Sequence, residues 1–318
     1  MNILSLFDGM ACGMIAMKNA GVNVEHYDAY EVDPYAIKTA KQNFPEIVEH
    51  GDVFEADFSQ YDNIDFMIGG SPCTYWSIAQ KNNRETEASG LGWDLFSKYV
   101  EALNTVKPKF FIYENNRSMS NQIRDSIRKA FGFEEICINS ALVSAQNRRR
   151  YYWIGKLNAK GTYDKVEVAQ PDDKGILLSS VLDGYALKEK ANCIAGNRGG
   201  MSLYHDIVES RHNIVAEPIE CIDDVHNGKA LSMVDGKEHN VYLIKNRTIV
   251  LKDKPIKIDL EDGYWLFRKI TVAEAKRLQT VPDYYEFPVS NAQAMKQLGN
   301  GWTCDVITHL IKSCLEKI

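Results

Sequence analysis

The sequence predicts an α/β fold: a doubly wound, mostly parallel sheet joined to a smaller, strand-rich region. Three observations carry this. Short apolar runs alternate with helical patterns through residues 1–155, the signature of strands linked by crossover helices. Several of these runs end in reactive side chains. Phe66-Met67-Ile68 leads into Gly69-Gly70-Ser71-Pro72-Cys73, and Phe110-Phe111-Ile112-Tyr113 leads into Glu114-Asn115. In an open α/β sheet, ligands bind at that end of the strands. The character then changes near residue 184, and 185–265 is rich in Gly, Asn, Asp and short β-prone pieces.

The elements follow in order. Residues 2–7 read as a strand and 13–20 as a helix, with Gly21 placed as a C-cap glycine. Residues 24–31 read as the next strand. Asp33 then suits an N-cap, with Pro34 in the first turn of a helix. Residues 66–68, 110–113, 134–138 and 151–154 are further strands, and 93–106 and 121–131 are helices between them. In the second region, 240–244 and 248–251 are the clearest strand candidates. Helical patterning returns at 271–278 and again at 304–315. This divides the chain into 1–184 with 266–318 as one unit and 185–265 as the other.

Bulk properties exclude several classes. Of 318 residues, 45% are hydrophobic and 25% charged, enough for an ordinary core. No apolar run approaches the roughly 18 residues of a membrane span, so no membrane partner is expected. The start, Met1-Asn2-Ile3-Leu4-Ser5-Leu6-Phe7-Asp8-Gly9, lacks the basic and long apolar regions of a secretory signal. Seven cysteines without a C-x-x-C pair suggest free thiols in a reducing cytoplasm and no metal site. The net charge of −6 is acidic for a nucleic-acid binder, but a local basic cleft is compatible with it. Arg148, Arg149 and Arg150 form the densest basic cluster, which Lys107, Lys109, Lys245 and Arg247 would extend.

Two strand-end motifs suggest a nucleotide-like ligand. Phe7-Asp8-Gly9-Met10-Ala11-Cys12-Gly13 lies between the first strand and the first helix, where glycine admits close backbone approach and the helix N-terminus is electropositive. Glu31 is the next acidic residue at a strand end, suited to ribose hydroxyls. Asp52 ends a further strand and suits an adenine amino group. The turn lacks a full G-x-G-x-x-G, which argues against NAD. A third motif, Gln146-Asn147-Arg148-Arg149-Arg150, precedes Tyr151-Tyr152-Trp153-Ile154. Thiol, acid and arginines at strand ends form a reaction centre more naturally than a core.

With these motifs in this order, nearly the whole chain resembles the DNA cytosine-C5 methyltransferases. Ser5-Leu6-Phe7-Asp8-Gly9 and Gly70-Ser71-Pro72-Cys73 are most similar to the animal de novo branch, while the compact length resembles a bacterial or phage enzyme. The resemblance implies a Rossmann-like class I fold using S-adenosylmethionine, with S-adenosylhomocysteine as product. It implies that Phe7, Asp8, Gly9, Met10 and Cys12 line the methionine and ribose, with Gly70 beside them. Glu31 would hold the ribose, Val32 would pack on adenine, and Asp52 with Val53 would read its edge. Leu95 would add an apolar wall. Gln297-Leu298-Gly299-Asn300-Gly301-Trp302 resembles the family's last motif, so Asn300 and Trp302 would also meet the cofactor.

The same resemblance implies a reaction. Cys73 would attack C6 of cytosine as a thiolate, encouraged by Arg148 and Arg150. Glu114 would protonate N3, which requires burial to raise its pKa in the occupied site. Arg150 would hold O2, and the Pro72 carbonyl would recognise the exocyclic amine. The family's Glu-Asn-Val is here Glu114-Asn115-Asn116, so an amide replaces an apolar contact. A duplex base must be flipped out to reach Cys73. Residues 77–92, with Ser77, Lys81 and Arg84, read as a mobile loop closing over duplex DNA. Gln146, Arg149 and the turn Asn197-Arg198-Gly199 are further candidates for DNA contact, and 185–265 for sequence recognition.

The expected protein is thus a monomeric, cytoplasmic DNA methyltransferase of a bacterium, phage or mobile element, with a cognate restriction endonuclease as a possible partner. Two other readings are a tRNA cytosine-C5 methyltransferase and a catalytically silent, DNA-binding or partner-activating homologue. An intact set of Cys73, Glu114, Arg148, Arg150, Glu31 and Asp52 argues against silence.

Overall fold

A computed structural model describes residues 1–78, 84–194, 202–210 and 212–317. The first half alternates strands and helices. They run β1 (Asn2–Leu6), α1 (Cys12–Asn19), β2 (His26–Tyr30), α2 (Pro34–Asn43), β3 (Val48–Glu49), β4 (Phe66–Gly69), α3 (Leu91–Val106), β5 (Phe110–Asn116) and α4 (Asn121–Phe131). Four further strands follow: β6 (Ile136–Asn139), β7 (Gln146–Asn147), β8 (Arg149–Leu157) and β9 (Tyr163–Lys165). The main sheet has the order β3-β2-β1-β4-β5-β8-β6, with β9 beside β8. From β3 to β5 the pairing is parallel, and β8 runs antiparallel to both neighbours. Strand order therefore reverses between β1 and β4, which opens a crevice at their C-terminal ends.

Both faces of the sheet are covered. Phe110 and Ile112 of β5 join one core with Met14, Ile15, Leu310 and Ile311. Phe111 and Tyr113 join the other with Phe96, Tyr99, Ile127 and Phe131. Alternation along β5 thus feeds two cores, and every residue from Phe110 to Asn116 is buried.

Local signals set most boundaries. Asp33 caps α2, accepting from the Tyr35 amide, with Pro34 in the first turn. Ser120 caps α4, and Gly132 closes it at φ +84°. Thr271 and Glu274 form a reciprocal capping box. Two strands come out shorter than their apolar patterns. β2 stops at Tyr30 because the Glu31 carboxylate folds back onto backbone amides. β6 starts only at Ile136 because Glu135 is drawn to Arg128.

The second region holds β10 (Tyr185–Ala186), β11 (Ala191–Asn192), α5 (Leu203–Val208), β12 (Ile214–Ile219), β13 (Lys229–Leu231), β14 (Glu238–Ile244), β15 (Thr248–Leu251), β16 (Lys254–Lys257) and β17 (Gly263–Lys269). Its sheet is ordered β10-β12-β17-β14-β15-β16, with β13 on β14, and it runs to Lys269 rather than stopping at 265. The chain ends in α6 (Val272–Leu278), α7 (Asn291–Asn300) and α8 (Cys304–Leu315). α7 was not expected from the sequence. Among the described residues, no helix is long and apolar enough to cross a membrane.

Arg268 joins the two regions. It is fully buried, pairs with Glu217 of β12, and forks onto Glu274 of α6 at 2.8 and 3.0 Å. It also donates to the Asp183 carbonyl at 2.9 Å. Removing one partner strands a buried charge. Glu274→Ala is therefore expected to lower unfolding stability by about 3–5 kcal/mol in urea titration, with Arg268→Met/Glu274→Ala recovering much of the loss.

Candidate active site

The site begins at the turn after β1. Phe7, Gly9 and Ala11 all take left-handed backbone angles, at φ 60°, 62° and 57°. Glycine adopts this freely, whereas Phe7 and Ala11 do so at a cost of about 1–2 kcal/mol each. The turn is held from below. Glu31 accepts the Gly9 amide at 2.8 Å through one oxygen and the Val32 and Asp33 amides at 2.8 Å through the other. Asp8 accepts from Ser5 Oγ at 2.5 Å and Tyr27 Oη at 2.6 Å, while its second oxygen is buried without a partner. Burial raises Asp8 from the usual 3.8 to about 6 against those two hydrogen bonds, with the charge of Glu31 adding to the rise.

Glu49, which the sequence reading did not single out, belongs to the same group. Both its oxygens are buried and unpartnered, and burial, then Asp8 and Glu31, push it up to about 8. Three carboxylates thus surround the floor of the turn.

β4 and β5 bring the reactive groups together. Gly69 pairs with Tyr113, and a Cβ on Gly70 would lie only 2.6 Å from the Glu114 carbonyl. Only a glycine lets the two chains pass so closely. The turn carrying Cys73 is then fixed by the amides that follow Glu114. Asn115 donates to the Ser71 carbonyl at 3.1 Å, and Asn116 donates to the Cys73 carbonyl at 3.3 Å. The departure from the family pattern at 116 therefore acts as a strut under the nucleophile. Glu114 receives Arg150 Nε at 3.0 Å on one oxygen and Trp302 Nε1 at 3.0 Å on the other.

These elements line one cleft of about 930 Å³ including its mouth. It contains Phe7, Asp8, Gly9, Met10, Cys12, Glu31, Gly70, Pro72, Cys73, Glu114, Arg148, Arg150, Asn300 and Trp302, all expected from the sequence. Ser71, Thr74, Asp33, Ala36, Lys296, Gln297 and Gly301 also line it and were not foreseen.

Other expected residues stand elsewhere. Val32 is 65% exposed, Val53 and Leu95 are buried in the core under α3, and none of them lines the cleft. Asp52 also lies off the cleft wall, its carboxylate capping the short turn Val53–Glu55 by accepting from Phe54. Gln146 is fully buried, its amide spent on Leu278, Gln279 and Ile194, so it has no group left for DNA. Arg84 is turned inward onto the carbonyls of Trp76 and Ser118. The Ser77 amide donates to the Cys73 carbonyl at 2.9 Å. Lys107 and Lys109 precede β5, at the opposite end of the sheet from Glu114, and Arg247 pairs with Asp259. Arg149 is exposed. Lys81, Asn197, Arg198 and Gly199 lie outside the described residues.

Arg148 lowers the Cys73 thiol as expected, and it has a further, structural job. Its guanidinium binds the Gly299 carbonyl at 3.1 Å and the Gly301 carbonyl at 2.7 Å, groups left open at the end of α7. It also donates to Cys193 Sγ at 3.1 Å, and Arg150 reaches the same sulfur at 3.6 Å. Burial would raise the Cys193 thiol, but the two arginines outweigh it and hold it below the usual cysteine range. At Cys73 the balance is reversed: burial raises the thiol, Arg150 only partly offsets it, and Glu114 adds to the rise. The arginines thus favour Cys193 over the expected nucleophile.

Two outcomes follow from these charges. Asp8 gains its proton affinity on folding, so the folded state holds more protons than the unfolded one between about pH 4 and 6. Its ionisation therefore costs stability as pH rises through that window, by about 2–3 kcal/mol above it. Asp8→Asn is expected to match the parent near pH 4 and exceed it at pH 8 in urea titrations. An unchanged pH profile would contradict this. Alkylation by iodoacetamide near neutral pH, followed by peptide mass mapping, is expected to label Cys193 before Cys73, and Arg148→Ala to slow the Cys193 reaction.

The comparisons agree with this geometry. A family model described as C-5 cytosine-specific DNA methylase matches residues 1–316. The type II methyltransferase M.HpaII of Haemophilus parainfluenzae is 27% identical over 330 residues, covering 99% of this chain and 89% of that protein. The orphan methyltransferase M.SPRI of Bacillus phage SPR is 33% identical over 167 residues, 49% of this chain. That match spans only 37% of the phage protein, and the match to the phage rho11s enzyme spans 33% of its length. Among solved structures, the Entamoeba histolytica methyltransferase EhMeth superposes with a TM-score of 0.62 at 15% identity, covering 99% of this chain and 98% of that one. Spodoptera frugiperda DNMT2 gives 0.60 at 16%, covering 99% of both chains. At such identities these two bear on the fold alone, which is the class I methyltransferase fold. The family's methyl donor is S-adenosylmethionine. Together the full-length match and the cleft give one conclusion: the chain belongs to the C-5 cytosine-specific DNA methylase family.

Proposed function

We propose that this chain transfers a methyl group from S-adenosylmethionine to C5 of a cytosine flipped out of duplex DNA, through a covalent bond between Cys73 and C6. The observation that carries the reading is that Cys73, Glu114 and Arg150 share one cleft with the β1–α1 turn. The cleft suits the donor: it offers the carboxylates of Asp8 and Glu31 to a cationic sulfonium and ammonium, with Met10 and Ala36 as apolar wall. When bound, the donor supplies an electrophilic methyl carbon.

The chain's own groups do the rest. Cys73 loses its proton to solvent and, as thiolate, forms the S–C6 bond. The displaced π electrons pass through C5 and C4 to N3, where Glu114 delivers a proton. Glu114 must therefore exchange part of its ion pair with Arg150 for the base. Arg150, freed on that side, faces the charge that builds on O2. The Pro72 carbonyl accepts from the exocyclic amine. The C5 electron pair bonds the methyl carbon while the sulfonium–methyl bond breaks and its pair stays on sulfur, leaving S-adenosylhomocysteine. The C5 proton passes to solvent, β-elimination releases Cys73 as thiolate, and N3 returns its proton to Glu114. Trp302, bonded to Glu114, fixes the carboxylate between the donor side and the base side of the cleft. Residues 185–265 would read the target sequence, and a restriction endonuclease cutting that sequence would be the natural partner.

The test is transfer of labelled methyl to unmethylated duplex DNA, beside tRNA. Label is expected as 5-methylcytosine in DNA. Cys73→Ala should abolish it, and Glu114→Gln should lower it by about 10²–10⁴-fold. DNA carrying 5-fluorocytosine, which blocks the final elimination, should trap the wild-type protein but not Cys73→Ala. Label in tRNA alone would redirect the reading to RNA. No label with intact cofactor binding would mean a silent homologue.

A further inference from the structure

The cleft leaves two arginines at this end of the sheet unexplained. Side chains alternate along a strand. Arg148 and Arg150 turn into the cleft, so Arg149 turns to the opposite face, the α4 side. There it meets Arg117, which directly follows the last residue of β5. The two line a shallow concavity of about 680 Å³ including its mouth, with Tyr151 and Asn139 in its wall and Cys137 beneath them. Asn116 of β5 pairs with Arg150 of β8, so Arg117 follows beside Arg149, and both line the same concavity.

No carboxylate lines this concavity. Nearby Arg128 and Arg124 share Glu135, at 2.8 and 3.7 Å. By contrast, no carboxylate among the described residues lies within ion-pair range of Arg117 or Arg149. The neutral polar groups are already engaged. Gln170 donates to the Cys137 carbonyl at 3.1 Å, and Asn139 is bonded to Asn147, Arg148 and Ala141. What faces outward is a pair of like charges with no counter-ion, an arrangement that favours capture of an anion. The fork geometry of guanidinium matches a phosphate.

We propose that Arg117 and Arg149 form a single phosphate site that holds one backbone phosphodiester of the DNA beside the flipped cytosine. The proposal rests on the reading of the chain as a DNA enzyme. Arg149 begins β8 and Arg117 follows the end of β5 that carries Glu114, so the pair sits at the same end of the sheet as the cleft, on its other face. The site would fix the strand's position without reading its sequence.

The experiment is DNA affinity as a function of salt for wild type, Arg117→Ala, Arg149→Ala, the double variant and Lys160→Ala. Lys160 is an exposed control in the turn between β8 and β9, at the other end of the sheet. One phosphate contact contributes about 0.9 to the slope of log K against log salt, so its loss should make the drop in affinity between about 50 and about 200 mM salt roughly 3-fold smaller. The double variant is expected to show this change, with the singles adding to more than the double because they share one phosphate. Cofactor binding and the methylated sequence should stay as in wild type, which also establishes folding. A double variant with the slope of Lys160→Ala overturns the proposal while leaving the DNA reading intact. Fully additive singles overturn the shared site. If wild type itself shows no salt-dependent DNA binding, the DNA reading fails and the phosphate site with it.

Discussion

The reactive end of this molecule depends on how closely β4 and β5 run past each other. Parallel pairing sets Gly69 opposite Tyr113, and the missing side chain at Gly70 lets the next turn ride over the Glu114 backbone. Nothing bulkier fits, because the obstacle is a main-chain carbonyl rather than a flexible side-chain tip. From that approach the thiol, the carboxylate and the amide struts of Asn115 and Asn116 all take their positions. The cores on the two sheet faces keep both strands from shifting, so the geometry is inherited from packing rather than from any single bond at the site.

Arg148 and Arg268 do comparable work at two other junctions. Each is buried, and each converts a positive charge into an assembly device. Arg148 gathers the open carbonyls at the end of α7 and ties them to Cys193, beside the short pairing of β7 with β11. Arg268 binds the second sheet to α6 and to the chain leading into it. Carbonyls at a helix end need donors, and a guanidinium supplies several at once. The consequence for chemistry is that burial and Glu114 raise the Cys73 thiol while Arg150 and Arg148 pull it back only in part.

Much of this was legible in the sequence, for identifiable reasons. Cys73, Glu114 and Glu31 stand directly after apolar runs, so strand-end placement alone marked them. Asp33, Ser120 and Gly132 announce helix ends by local chemistry, and such signals survive any tertiary context. Gln146 was misread because its neighbours come from distant segments. Gln146 resembles a surface amide until Leu278 and Gln279 close over it. Cys193 and Glu49 carried no signal at all, since a lone thiol or carboxylate acquires meaning only from what faces it. α7 was missed, although Ser290 caps it as a Ser often does.

The cleft takes residues from both early and late parts of the described chain. Phe7 to Cys12 form one wall, and Lys296 to Trp302 form the facing one. α1 packs against α8, so the first helix waits for the last before its apolar face is covered. During synthesis the ribosome therefore releases a polypeptide whose sheet is largely written but whose catalytic wall is absent. Contacts of such long sequence separation form slowly. The cleft is therefore complete only once the segment through Trp302 has been made and has joined the β1–α1 turn.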